Sequence, residues 1–259
     1  MSYIFDSHAH YDDSAFDPDR HSLLAALPER GVAGVINCAS DLDSARRSLA
    51  LAEGYPHVWA AVGIHPEEAA AVPADAMDIL RDMAAHPRAV AIGEIGLDYH
   101  WEDACPREIQ QQWFRRQVEL AVELHLPVVV HDREAHADTL DILRRYRPAG
   151  VVHCFTGSVE MMREVTALGM YIGLGGAVTF KNARKPVEVA AAVPGDRLLL
   201  ETDAPYMAPV PCRGKRCDST LIAHTAARIA EIRGISVDSL LEQTAANAER
   251  LFGIRAVPL

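Results

Sequence analysis

Lysine is nearly missing from this chain: Lys181, Lys185 and Lys215 are the only ones in 259 residues. With acids outnumbering bases, the formal net charge is −11. That excludes a protein that coats nucleic acid through a broad basic surface, so any polyanionic substrate must be held locally. No apolar run approaches the ~18 residues that a membrane span needs. The H-x-H pair at His8 and His10 follows Met1 too closely to leave room for a signal peptide, so a cytoplasmic protein without membrane partners is expected. The cysteines, Cys38, Cys105, Cys154, Cys212 and Cys217, are odd in number and form no C-x-x-C pair. They suit free thiols in a reducing compartment better than a disulfide framework. Linkers, low-complexity tracts and repeats are also missing, which leaves one domain over 1–259 as the expectation.

What is present is an alternation of short apolar runs with longer amphipathic stretches. The runs are Tyr3 to Phe5, Val32 to Cys38, Val58 to Gly63, Ala89 to Ile95, Val128 to Val130, Val151 to Cys154, Met170 to Leu174 and Leu198 to Glu201. Eight such runs in a chain near ~250 residues point to an α/β fold, a single-domain (β/α)8 TIM barrel, with an open doubly wound sheet as the alternative. Helix punctuation agrees. Asp41 or Ser40 can cap Leu42 to Ala52, Pro106 opens Arg107 to His125, and Ser158 can cap Val159 to Leu168. Two further helices are expected near Leu221 to Arg233 and Ser236 to Leu251, after a proline-rich loop from Ala204 to Cys217.

In such a barrel the chemistry sits where the strands end, so the residues that finish each run decide what the protein can do. His8 and His10 finish run one, His65 run three, Glu94 and Asp98 run four. His131 finishes run five, His153 run six, and Glu201 and Asp203 run eight. By two-residue alternation His8 and His10 share a face, with Asp6 one layer deeper, and Glu94 shares a face with Asp98. Imidazoles and carboxylates in this number exceed the ligands that one catalytic zinc takes, and two divalent ions, Mg, Mn or Zn, sharing a carboxylate fit better. No lysine lies in runs one to six to bridge them as a carbamate, so the bridge falls to Glu94. Two dications against Glu94 and Asp203 leave a centre that attracts anions and can activate water, and hydrolysis is the natural reaction class. No organic cofactor is expected.

The stretches Asp6-Ser7-His8-Ala9-His10, Val62-Gly63-Ile64-His65-Pro66, Gly93-Glu94-Ile95-Gly96-Leu97-Asp98-Tyr99, His131-Asp132-Arg133-Glu134-Ala135, His153-Cys154-Phe155-Thr156-Gly157 and Glu201-Thr202-Asp203-Ala204-Pro205-Tyr206 resemble the TatD family of metal-dependent deoxyribonucleases. The resemblance implies one ion on His8, His10, Glu94 and Asp203, a second on Glu94, His131 and His153, and hydrolysis of DNA, with RNA as a further candidate. It implies that Asp203 also takes a proton from the attacking water, and that Asp6, Asp98 and Glu201 orient imidazoles. His65 is read as either a contact to the substrate phosphate or a rim residue. Arg133, Arg213, Lys215 and Arg216 are candidates for flanking phosphates. Many relatives read R-G-K-x-N-x-P in the last loop, whereas Cys217-Asp218-Ser219 stand here. Three functions follow as expectations: a nuclease trimming single-stranded or 3′ ends, a deacylase, amidohydrolase or lactonase on a small or aminoacyl ester, or a non-enzymatic scaffold. A monomer is expected.

Overall fold

The computed structural model describes residues 2–101 and 105–257, and the remainder of the expected 1–259 domain lies outside them. Along this chain run β1 (Ile4–Ala9), α1 (Arg20–Ala26), β2 (Val32–Cys38), α2 (Leu42–Gly54), β3 (Val58–Val62), α3 (Ala76–Ala84), β4 (Ala89–Asp98), α4 (Arg107–Leu124) and β5 (Val128–Arg133). There follow α5 (His136–Tyr146), β6 (Gly150–Val152), α6 (Val159–Ala167), β7 (Tyr171–Leu174), α7 (Arg184–Ala192), β8 (Leu198–Leu200), α8 (Ile222–Arg233) and α9 (Val237–Phe252). Each strand pairs in parallel with the next, in chain order. This is the single-domain (β/α)8 barrel, and the open doubly wound alternative falls. No helix among the described residues is long and apolar enough to cross a membrane.

The strands read as unbroken apolar runs because both of their faces are covered. Outward residues such as Val35, Val62, Ile92 and Val130 pack beneath the helices. Inward residues Phe5, Ile36, Trp59, Val129, Val151 and Leu199 fill the barrel, and α9 lays Ala245, Ala248 and Phe252 against them. That packing closes the end where the strands begin and leaves the opposite end free for a site. Helix α2 starts where Asp41 accepts a hydrogen bond from the Ser44 amide at 2.6 Å, and α6 where Ser158 accepts one from Met161.

Strand ends depart from the apolar pattern in both directions. β1, β4 and β5 run on through Ala9, Asp98 and Arg133, since backbone pairing continues after the apolar residues stop, as between Gly96 and His131. β6 and β8 stop at Val152 and Leu200, so His153, Glu201 and Asp203 belong to the loops that follow.

β1 and β8 meet through few ladder bonds, and side chains complete the seam. Asp203 donates its amide to the His8 carbonyl at 2.9 Å, His10 donates to Ala204 at 2.7 Å, and Ser7 Oγ donates to Leu200 at 3.0 Å. Asp6 is the centre of this seam. Its carboxylate accepts from the Thr202 amide at 3.0 Å, from Thr202 Oγ1 at 2.7 Å and from Ser219 Oγ at 2.7 Å. This corrects the expectation that Asp6 orients an imidazole: it meets only the backbone amide of His8, at 3.2 Å. The reason is a register shift between Asp6 and Ala9, which breaks the two-residue alternation. Asp6→Ala would leave four buried donors without their acceptor. It is expected to cost about 3 kcal/mol or more of unfolding free energy, read as a lower urea midpoint. A midpoint shift worth less than 1 kcal/mol, on the order of one surface substitution, would contradict the seam role.

Candidate metal centre

Glu94 stands in the middle of the strand ends, 3% exposed, with each carboxylate oxygen facing a different group. Oε2 lies 3.2 Å from His8 Nε2 and 3.5 Å from His10 Nε2. Asp203 Oδ1 completes that first group, 3.6 Å and 3.4 Å from the same two nitrogens. Oε1 lies 2.7 Å from His153 Nε2 and 2.9 Å from His131 Nδ1, and these two nitrogens are 3.2 Å apart. His65 Nε2 is more distant, 3.7 Å from Oε1.

The backbone explains how such separated residues converge. β4 can carry Glu94 and Asp98 past β5 because Gly96 adopts φ +147°, and a Cβ there would collide with the His131 carbonyl. Asp203 reaches the centre in a left-handed conformation, φ +63°, which aspartate tolerates better than most residues. Two-residue alternation ends with β8 at Leu200, so Glu201 and Asp203 need not share a face. Glu201 turns instead to accept a hydrogen bond from the Cys154 amide, and its other oxygen, Oε2, is buried without a partner. Gly173 has no side chain because Glu201 fills that space.

Of the three acids expected to orient imidazoles, Asp98 alone touches one. Its Oδ2 accepts from His131 Nε2 at 3.0 Å, which directs Nδ1 to the centre. His10 is fixed in the same way, donating Nδ1–H to the Cys38 carbonyl at 2.8 Å. His8 and His153 keep buried Nδ1 atoms without partners.

These tautomers fit a divalent ion. His8 Nε2 and His10 Nε2 face each other at 3.0 Å, and two lone pairs repel unless a cation or a proton lies between them. Burial would lower the His10 pKa, but Asp203 and Glu94 beside it push it up to about 9. Burial likewise opposes the charge on His131, yet Asp98 and Glu94 push it up to about 10. Burial would raise Glu94, and the facing imidazoles hold it well below the usual carboxylate range. Without metal, then, protons on His10 and His131 balance the acids, and an incoming ion must displace them. Metal affinity is expected to rise with pH between 6 and 8, by roughly tenfold or more per unit. Calorimetric titration in buffers of different ionisation enthalpy checks this through the protons released. A pH-independent affinity would contradict it.

All of these donors but the fully buried His8 line a cavity of about 650 Å³ open to solvent. Its rim is acidic, with Asp12, Asp13, Asp17, Glu67 and Glu68, and Arg20, Arg47 and Arg133 also line it. Arg20 is engaged by the carbonyls of Tyr11, Asp12 and Asp13, and Arg47 by the Asp12 carboxylate.

Comparison with known proteins decides the kind of centre. The model of the "TatD related DNase" family matches residues 5–253. The chain belongs to the TatD family. It is 39% identical over 254 residues to the metal-dependent hydrolase YabD of Bacillus subtilis, covering 97% of this chain and 99% of YabD. It is 35% identical over 259 residues to the 3′-5′ ssDNA/RNA exonuclease TatD of Citrobacter rodentium, covering 97% and 98%. The crystal structure of YjjV, a TatD homologue from Escherichia coli, superposes with a TM-score of 0.91 at 33% identity, over 97% of this chain and 98% of that one. This TatD chain is accordingly a metal-dependent hydrolase.

The loop after β8 places its basic residues outside the cavity. Arg216 forms a paired ion bridge with Asp19, at 2.7 and 2.6 Å, and lies 4.8 Å over the Phe16 ring. Arg213 lies 4.1 Å over Phe180. Neither these two nor Lys215 lines the cavity, whereas Arg133 does. The Asp19 carboxylate thus pairs with Arg216 across the loops that follow β1 and β8. The acidic rim and Tyr206 went unread as site residues. Tyr206 sits within a quoted motif, but the rim acids lie in loops without periodicity to mark them.

Proposed function

We propose that this TatD protein is an exonuclease trimming single-stranded DNA or RNA from the 3′ end, with two divalent ions, Mg, Mn or Zn, at the strand ends. The observation that carries the binuclear part is the division of Glu94: one oxygen faces His8, His10 and Asp203, the other His131 and His153. The nucleic-acid part rests on relatives named 3′-5′ ssDNA/RNA exonuclease, at 35% and 36% identity.

When bound, the ions would supply a nucleophilic water and charge stabilisation for the phosphoryl oxygens. Asp203 is 20% exposed to the cavity and its carboxyl is held below the usual range, against burial, by His10 and His8. It stays ionised at neutral pH and can accept the water's proton. His65 receives the Glu67 amide on Nδ1 at 3.3 Å, which leaves Nε2–H as a donor towards a phosphoryl oxygen. Burial and the neighbouring His131 pull its pKa down to about 3, so it donates as a neutral group. Arg133 offers the flanking positive charge.

End-labelled single strands, incubated with protein, then EDTA, then each of Mg²⁺, Mn²⁺ and Zn²⁺, test the reading. Label on the 5′ end should yield a ladder shortening from the 3′ end, abolished by chelation and restored by metal. Intact strands together with chelator-sensitive turnover of a lactone or aminoacyl ester would replace the nuclease by a deacylase.

A further inference from the structure

Two exposed aromatic rings follow strands at the end of the barrel that holds the cavity: Tyr206 lines it, and Trp101 stands behind the lining residue Arg133. Trp101 and Tyr206 are each 54% exposed, more than the other large apolar side chains exposed among the described residues, all of which are aliphatic. Tyr206 follows β8 and lines the cavity, its ring centroid 6.5 Å from that of His10. Trp101 follows β4, and the guanidinium of Arg133, a cavity residue on β5, lies 5.4 Å from its ring centre. In a barrel ordered β1 to β8, strands four and five lie half a turn from strands eight and one, so the two rings follow strands on opposite sides of the barrel.

Leaving large rings in water has a hydrophobic cost, and Tyr206 is held in place besides. Its hydroxyl donates to Asp13 Oδ2 at 2.8 Å. Asp13 lies in the loop after β1, so the ring is tethered across the β1–β8 seam. Outside the metal centre the cavity offers a polyanion little attraction, because Asp12, Asp13, Asp17, Glu67 and Glu68 outnumber Arg20, Arg47 and Arg133 among its lining residues. Away from the ions and Arg133, a strand therefore needs a source of affinity other than charge, and a base has a π-face that any aromatic ring can meet.

We propose that Tyr206 and Trp101 are stacking platforms for the two nucleobases flanking the scissile phosphate, with Arg133 completing the Trp101 side. This deepens the nuclease reading and rests on it. Stacking of this kind ignores base identity but needs bases free of their partners, so it selects single strands over duplex. The rings bind and select, and they take no part in the proton transfer.

The test uses a labelled single strand with all its bases, and the same strand with an abasic analogue at the terminal or at the penultimate nucleotide. With the base present, Tyr206→Ala and Trp101→Ala are each expected to raise KM about tenfold, the scale of one stacked base, with kcat falling less. For each variant the loss should shrink to about twofold when one abasic position is used, and that position should differ between the two. Tyr206→Phe, which keeps the ring and loses the Asp13 tether, should fall between wild type and Tyr206→Ala. Equal losses on base-bearing and abasic strands, or unchanged KM in both alanine variants, would overturn the stacking while strand cleavage by the wild type upheld the nuclease. A wild type that cleaves no strand yet hydrolyses methyl 4-nitrophenyl phosphate would remove both.

Discussion

Glu94→Gln is expected to lower kcat by about 10³-fold or more and to leave the protein with less than its full metal complement. The amide has nearly the shape of the carboxylate, so the substitution removes charge and one acceptor while leaving the cavity its form. Both donor groups lose at once, because Oε1 serves His131 and His153 while Oε2 serves His8 and His10. An amide nitrogen placed against either pair would also point its hydrogens at the lone pairs meant for an ion. Elemental analysis of the dialysed variant, beside its rate at saturating metal, checks the expectation. Full metal content with a rate within tenfold of wild type would mean that the two groups do not share Glu94. A loss confined to one ion would assign the carboxylate to that side.

The barrel was legible because each strand's apolar run is short and bounded, and the spacing between runs suits a helix. The donors were legible because they interrupt those runs at the same end. Less of the supporting structure could be read, and β1 illustrates why. Two-residue alternation places Asp6 beneath His8, but a register shift turns it into the β1–β8 seam, where Thr202 and Ser219 hold it. Nothing local in Asp6-Ser7-His8 signals a partner nearly two hundred residues away. The same limit applies to Arg216, whose place in a basic loop gives no sign of its pairing with Asp19. Patterns along a chain report which face is apolar, whereas the pairing of charges depends on which loops the closed barrel brings together. The acidic lining is the fullest case: Asp12, Asp17 and Glu67 become neighbours of one cavity only after β1 and β3 have both paired with β2.

Asp203→Asn is the second large loss expected, about 10³-fold in kcat, and it separates two roles that Glu94→Gln cannot. Asn accepts a left-handed φ nearly as well as aspartate, so the turn at φ +63° and its bonds to β1 and Tyr206 should survive. What goes is the negative charge 3.4 Å from His10, on a residue that lines the cavity. As a ligand alone, Asp203 would be replaceable by mass action, since an amide oxygen still binds a cation and excess Mn²⁺ would refill the site. As the group that takes the water's proton, it would not be. The rate of the variant should therefore remain at least about 100-fold below wild type at saturating Mn²⁺, with KM within a few-fold and ion content restored. Recovery to within tenfold on adding metal would reduce Asp203 to a ligand and move the proton acceptor elsewhere. Among the described residues lining the cavity, the Glu67 carboxyl would then be the next group to test, since burial raises its pKa above the usual carboxylate value.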